Sequence, residues 1–268
     1  MTDLTYITLD TGEKSLNKTV TLVSGETECI LIDAAFTRAD GHRAVAAILD
    51  AGTRLTTVFI SAGDPDYYFG AEVIHDAFPD VIFVAPSDVI GHIDHSYEAK
   101  LTAWAHLGVN LPTRRVEILP FESDQLYVDG VPLGLHSAEI SPTDTRWYFF
   151  DPISRTIFGG LLTFGDLHVW TADTPTVESR AAWLRALDEL ESLDPLRVIA
   201  GHRAAGSADD STSIRHTRDY LRKFESVIAE AHSGADAERE LLAAYPTAGL
   251  KIAAHLGALV AKGEMKWG

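Results

Sequence analysis

A short apolar run, Thr57-Val58-Phe59-Ile60, breaks into Ser61-Ala62-Gly63-Asp64-Pro65-Asp66-Tyr67-Tyr68-Phe69-Gly70, and a helical pattern then covers Ala71–Phe78 until Pro79 stops it. Four apolar or β-branched residues bounded by turn formers read as a buried strand. The chain therefore passes from strand to polar loop to helix within about two dozen residues. In an α/β protein, that is where catalytic groups are usually carried.

The same grammar recurs on both sides of this loop. Thr19–Val23 and Glu28–Asp33, separated by Ser24-Gly25-Glu26, read as a hairpin, followed by a helix over His42–Ala51 and a strand over Val58–Ser61. Val81–Ala85 reads as another strand. From Val89 to Trp104 the apolar positions Ile90, Ile93, Tyr97, Leu101 and Trp104 recur every three or four residues, the helical period. The second half repeats the theme, with candidate strands at Val116–Leu119, Gln125–Val128, Val131–His136, Arg146–Phe150 and Thr156–Phe158 and an amphipathic helix over Val177–Leu193. Leu196–Ala200 reads as a last buried strand ending in Gly201-His202, and Ile214, Leu221, Phe224 and Ile228 mark a further helix. The polar stretch Gly206–Ser213 reads as a loop within the fold. One domain spanning 1–268 is expected.

Composition excludes several classes of partner. A formal net charge of −17 over 268 residues leaves no basic cluster for phosphates or for an anionic membrane surface, so neither nucleic acid nor membrane is expected. The single cysteine, Cys29, lies in a strand-like run, which rules out an intrachain disulfide and a cysteine-rich zinc site. No signal peptide is recognisable at the amino end and no run reaches membrane-span length, so a cytoplasmic protein is expected.

Four landmarks, in order, resemble the metallo-β-lactamase superfamily. Ile30-Leu31-Ile32-Asp33 looks like its early strand ending in a structural Asp. The Asp66…Phe69-Gly70 frame looks like its metal-binding loop. Thr156-Ile157-Phe158-Gly159-Gly160 resembles the strand that ends in the metal-bridging carboxylate, and Val198-Ile199-Ala200-Gly201-His202 the final strand with its Gly-His ligand. The resemblance implies an αβ/βα sandwich of two mixed β-sheets flanked by helices.

The same resemblance implies a dismantled metal site. Where the loop of the family reads Thr-His-x-His-x-Asp-His, this chain has Ala62 and Asp64 at the first two His positions, Asp66 at the Asp and Tyr67 at the last His. The third His of the first metal would fall within Ala138–Ser141, and position 160 is Gly. A hydrolytic zinc ion needs about three protein ligands and an open position for water. Only Asp66 and His202 match by type, so no metal and no cofactor is expected.

What remains still suits acid–base chemistry. In the family fold Asp64, Asp66, Tyr67 and His202 would converge where the sheet ends meet, and His168, in Gly165-Asp166-Leu167-His168, would project there too. A carboxylate beside an imidazole fixes its tautomer and raises its basicity. Tyr67 could donate to a developing oxyanion, and Phe69, Trp147 and Trp170 could wall a small organic substrate. Each residue also has a plain structural reading: Asp66 as a helix cap, His202 as a loop partner, His168 as a core histidine, and the tryptophans as core.

The functional expectation is thus a metal-independent enzyme of this fold acting on a small organic substrate, by hydrolysis of an ester, lactone or amide or by a lyase or isomerase step. Two rivals are a single-metal hydrolase using Asp64, Asp66 and His202, and a non-catalytic small-molecule binding protein.

Overall fold

In the computed structural model, which describes residues 3–267, two β-sheets face each other between layers of helices. The first sheet is formed by β1 (Thr5–Asp10), β2 (Thr19–Ser24), β3 (Glu28–Ile32), β4 (Arg54–Phe59), β5 (Ile82–Ala85) and β6 (Leu119–Pro120), in that spatial order. Strands β1 to β3 form an antiparallel meander, whereas β3, β4, β5 and β6 run parallel. Parallel neighbours require crossovers. These are supplied by α1 (Arg38–Ala51) and, after the short α2 (Pro65–Tyr68), by α3 (Ala71–Ala77) and α4 (Ser87–Ala103).

The second sheet contains β7 (Gln125–Val128), β8 (Val131–Ser141), β9 (Asp144–Asp151) and β10 (Thr156–Phe158). A separate two-residue strand, β11 (Phe164–Gly165), follows, and then α5 (Val177–Ser192). Strand β12 (Arg197–Val198) joins the second sheet beside β10, in parallel, giving the order β12-β10-β9-β8-β7. Strand β13 (His202–Arg203) pairs in parallel with β11 as a separate ribbon. The helices α6 (Thr212–Glu230), α7 (Gly234–Ala244) and α8 (Lys251–Ala261) complete the chain's described part. This is the αβ/βα sandwich of two mixed sheets.

The layer between the sheets is dry. Val23, Ile30, Ile32, Phe59 and Val84 from the first sheet meet Leu133, Leu135, Phe149 and Phe158 from the second, all buried. Phe59 sits at its centre, its ring centroid 4.8 Å from Phe149 in an edge-to-face contact, the arrangement favoured by aromatic quadrupoles.

Most expected elements fall where the residues placed them, and the departures have physical reasons. Helix α1 begins four residues earlier than the apolar period indicates, because Thr37 and Asp40 form a reciprocal capping box. The expected strand Val116–Leu119 survives only at its end: Val116 and Ile118 are buried, but only Leu119 and Pro120 pair with β5. Strand β8 runs on to Ser141, past the expected His136. Strand β1, with its alternation Tyr6-Ile7-Thr8-Leu9, adds an edge strand to the expected set, and α7 and α8 lie beyond the last expected helix. No helix among the described residues is long and apolar enough to cross a membrane.

Candidate functional site

The loop that follows β4 meets the loop that leads into β13 at one edge of the sandwich. Asp33, at the end of β3, organises this junction. Its carboxylate accepts hydrogen bonds from the Ser61 backbone N–H and hydroxyl, each at 2.8 Å, and from the Lys18 ammonium at 2.8 Å. Lys18 is fully buried, donates also to the Thr19 carbonyl at 2.8 Å, and lies 4.2 Å from the centroid of the Tyr67 ring. Ser61 in turn accepts from the Gly160 N–H at 3.1 Å, and Tyr67 donates to the Gly160 carbonyl at 3.3 Å. A buried charge is tolerated only when paired and hydrogen-bonded. Lys18 and Asp33 meet both conditions and bind the two halves together.

On this frame α2 presents Asp66 and β13 presents His202. The Nε2 of His202 lies 2.8 Å from Asp66 Oδ2, and its ring stacks on Phe164 at a centroid distance of 5.1 Å. An ionised carboxylate can only accept, so Nε2 carries a proton and, in the neutral imidazole, Nδ1 holds the lone pair. That Nδ1 is buried and has no partner.

Both residues help to line a cavity of about 260 Å³, together with Asp64, Lys100, Asp173 and the aromatic residues Tyr67, Trp104, Phe164, Trp170 and Trp267. Asp64 is paired with Lys100 at 3.2 Å. Burial pulls the Lys100 ammonium toward its neutral form, but the charge and hydrogen bond of Asp64, with the charges of Asp173 and Asp66, together outweigh it and hold its pKa above the usual lysine value. Asp173 accepts from the Trp267 indole N–H at 2.6 Å. Burial, reinforced by the charge of Asp64, pushes its carboxyl from 3.8 up to about 7, against Arg146, the Trp267 hydrogen bond and Lys100. A second, larger cleft of about 700 Å³ lies alongside and shares Asp64, Leu161, Asp173 and Trp267 with the first.

The expected site residues separate into two groups. Asp64, Asp66, Tyr67, His202 and Trp170 converge on the cavity. The Tyr67 hydroxyl, however, is committed to Gly160, and burial raises its pKa well above the usual tyrosine value, with Asp66, Asp33 and Asp64 adding to the effect. His168 does not reach the cavity. It is fully buried, with Nδ1 3.1 Å from the Tyr220 hydroxyl, and burial aided by His216 and Lys251 lowers its pKa to about 4. Its core reading is therefore the one that holds. Phe69 is also core, stacked on Phe36, and Trp147 is half-buried against the core, its indole donating to Asp88 at 3.1 Å. Neither lines the cavity. Lys18, Lys100, Asp173 and Trp267 join the site from outside the expected set, because a lysine on an amphipathic helix or an Asp in a Thr-Ala-Asp-Thr loop carries no local signal of its role.

The donor set does not fit a metal ion. At the positions matching the family's ligands, Ala62 and Gly160 offer no side-chain donor, and the ligating atoms of Asp66 and His202 bind each other. Among the described residues, no group of three or more His, Cys, Asp or Glu is placed to hold an ion. Gly160 cannot regain its carboxylate without rearrangement: at φ +77°, a Cβ there would lie 2.0 Å from the Trp147 carbonyl oxygen. Gly201 is similarly tight, its own Cβ position 1.9 Å from the Gly160 oxygen.

Residues 16–202 match the model of the metallo-β-lactamase superfamily. Among solved structures, a metallo-β-lactamase family protein from Thermus thermophilus is 16% identical, with a TM-score of 0.62 over 97% of this chain and 93% of that one. A β-lactamase domain protein from Burkholderia ambifaria is 13% identical, with a TM-score of 0.63 over 97% of this chain and 84% of the other. A metallo-β-lactamase from Pontibacter korlensis is 16% identical, with a TM-score of 0.54 over 83% and 99%. No curated protein matches the sequence.

Proposed function

The chain belongs to the metallo-β-lactamase superfamily, and on that premise we propose that it is an enzyme whose proton-transfer chemistry is done by side chains at the position of the family's metals. The observation that carries this reading is the Asp66–His202 pair, with Nδ1 of the imidazole buried without a partner in a residue that lines a cavity. Asp66 fixes the tautomer through Nε2–H and stabilises the imidazolium that forms when Nδ1 takes a proton. The proton comes from a water that attacks an acyl carbon or from a carbon acid next to a carbonyl. The Lys100 ammonium, held charged by Asp64, is the cation of this cavity suited to meet a developing oxyanion. The cavity suits a small organic molecule, with three tryptophans among its apolar walls.

The test is direct. The purified protein is offered a panel of esters, lactones and amides, and carbonyl compounds are followed by NMR for solvent deuterium exchange at the α-carbon. Turnover that falls about 10²–10⁴-fold in His202→Ala, after correction for folded fraction, supports the reading. A rate within about threefold of the parent ends it.

A further inference from the structure

Asp173 is the one carboxylate of the cavity that the proposed chemistry does not use. Asp64 has Lys100, and Asp66 has His202. Asp173 has only the Trp267 indole, on Oδ1, and among the described residues no cation pairs with it. It stands where the two cavities adjoin, in the wall of both. Across the joined space, among the described residues, Asp64, Asp66, Asp88, Asp144 and Asp173 face two fixed cations, Lys100 and Arg146. Such a field repels carboxylates and phosphates and raises the local concentration of cations.

The open polar atoms agree with the field. Asp173 Oδ2 accepts no hydrogen bond among the described residues, and His202 Nδ1, in a side chain only 6% exposed, is buried without a partner. An ionised Asp173 carboxylate can only accept, so the complementary ligand is a donor. The walls suit a cation as well, since Trp104, Trp170 and Trp267 present aromatic rings, and Lys100 already places its ammonium 6.0 Å from the Trp267 ring centroid.

We propose that this cavity recognises a small organic cation bearing N–H donors, a protonated amine with an apolar body, whose ammonium is held by Asp173 against the tryptophan walls. The assignment names a substrate class for the His202 site and so rests on that reading of the cavity, but its test reads binding and not turnover.

The probe is benzylamine, measured by calorimetry on the intact protein at about pH 8, where Asp173, with its carboxyl at about 7, is ionised. Benzyl alcohol and benzoate serve as the neutral and anionic matches. The expected result is that benzylamine binds at least about tenfold more tightly than either, and that Asp173→Asn removes the preference, a loss of about 1.4 kcal/mol per tenfold. Trp170→Leu should weaken all binding while keeping the preference for the amine, which covers the case of an Asp173 variant that fails to fold. Benzoate or benzyl alcohol binding as tightly as benzylamine to the unaltered protein overturns the proposal. So does a preference that persists in a folded Asp173→Asn. Either outcome leaves the His202 assignment to its own kinetic test.

Discussion

The Lys18 ammonium sits 4.2 Å from the centroid of the Tyr67 ring, a cation–π contact within a fully buried ion pair with Asp33. Tyr67 stands where the family carries a metal-ligating His, so a fixed protein cation lies beside a position that would face a metal ion. Removing one member of a buried pair strands the other's charge. Lys18→Met is expected to lower stability by about 3–5 kcal/mol, and the double change Lys18→Met/Asp33→Asn by less than the sum of the two single changes. Urea denaturation of the three variants checks this; additive losses would show that the pair acts as two independent groups.

Restoring a family ligand at Gly160 should fail for a steric reason. The positive φ and the 2.0 Å approach of the Trp147 carbonyl leave no room for a Cβ. Gly160→Asp is expected to be destabilised by several kcal/mol, or not to fold, and to gain no zinc. A folded Gly160→Asp that binds stoichiometric zinc by elemental analysis would contradict this.

Two groups, Asp173 and His168, tilt the pH dependence of stability in opposite directions. Asp173 has its pKa raised from 3.8 to about 7. The folded state therefore holds a proton that the unfolded chain has lost, and the resulting stability is full below about pH 4 and gone above about pH 7. His168 has its pKa lowered from 6.5 to about 4, so its contribution is present above about pH 6.5 and is lost as pH falls toward 4. The two slopes oppose each other in the parent protein. Asp173→Asn should gain stability relative to the parent between about pH 5 and pH 8, and His168→Gln should lose it over the same rise. Urea midpoints at the two pH values decide; variants whose profiles run parallel to the parent would refute both assignments.

The Asp66–His202 pair should behave as a unit in turnover. Asp66→Asn and His202→Ala singly, and both together, are expected to cost similar factors in kcat, because the residual rate belongs to the rest of the cavity. Multiplicative losses would mean that the two act separately.

The fold was legible because its evidence is local and repeated. Buried strands such as Glu28–Ile32 and Thr156–Phe158 announce themselves in three to five residues, and the landmark glycines and carboxylates fix their order. The Asp66–His202 meeting was legible for the same reason, each lying in a recognisable strand-end motif. His168 was misplaced because a strand-end histidine looks the same whether it faces a cavity or, as here, Tyr220 and Tyr245. Asp173, Lys100 and Trp267 were missed because they come together only through packing. Lys100 is one of several charges on α4, and nothing in its neighbours tells which residue of another segment it will meet.

Asp66 and His202 are 136 residues apart in sequence, and Lys18 reaches the Gly201 carbonyl across 183. Contacts of such separation close only after the loop entropy between them has been overcome, which places them among the slower events of folding. The proposed catalytic pair thus joins the amino-terminal and carboxy-terminal halves of the chain. A ribosome that has released only the first half of the chain holds Asp66 with no imidazole to orient. On the proposed reading, chemistry at this pair would switch on in one step, when the halves dock, and any opening between them would silence it before either sheet comes apart.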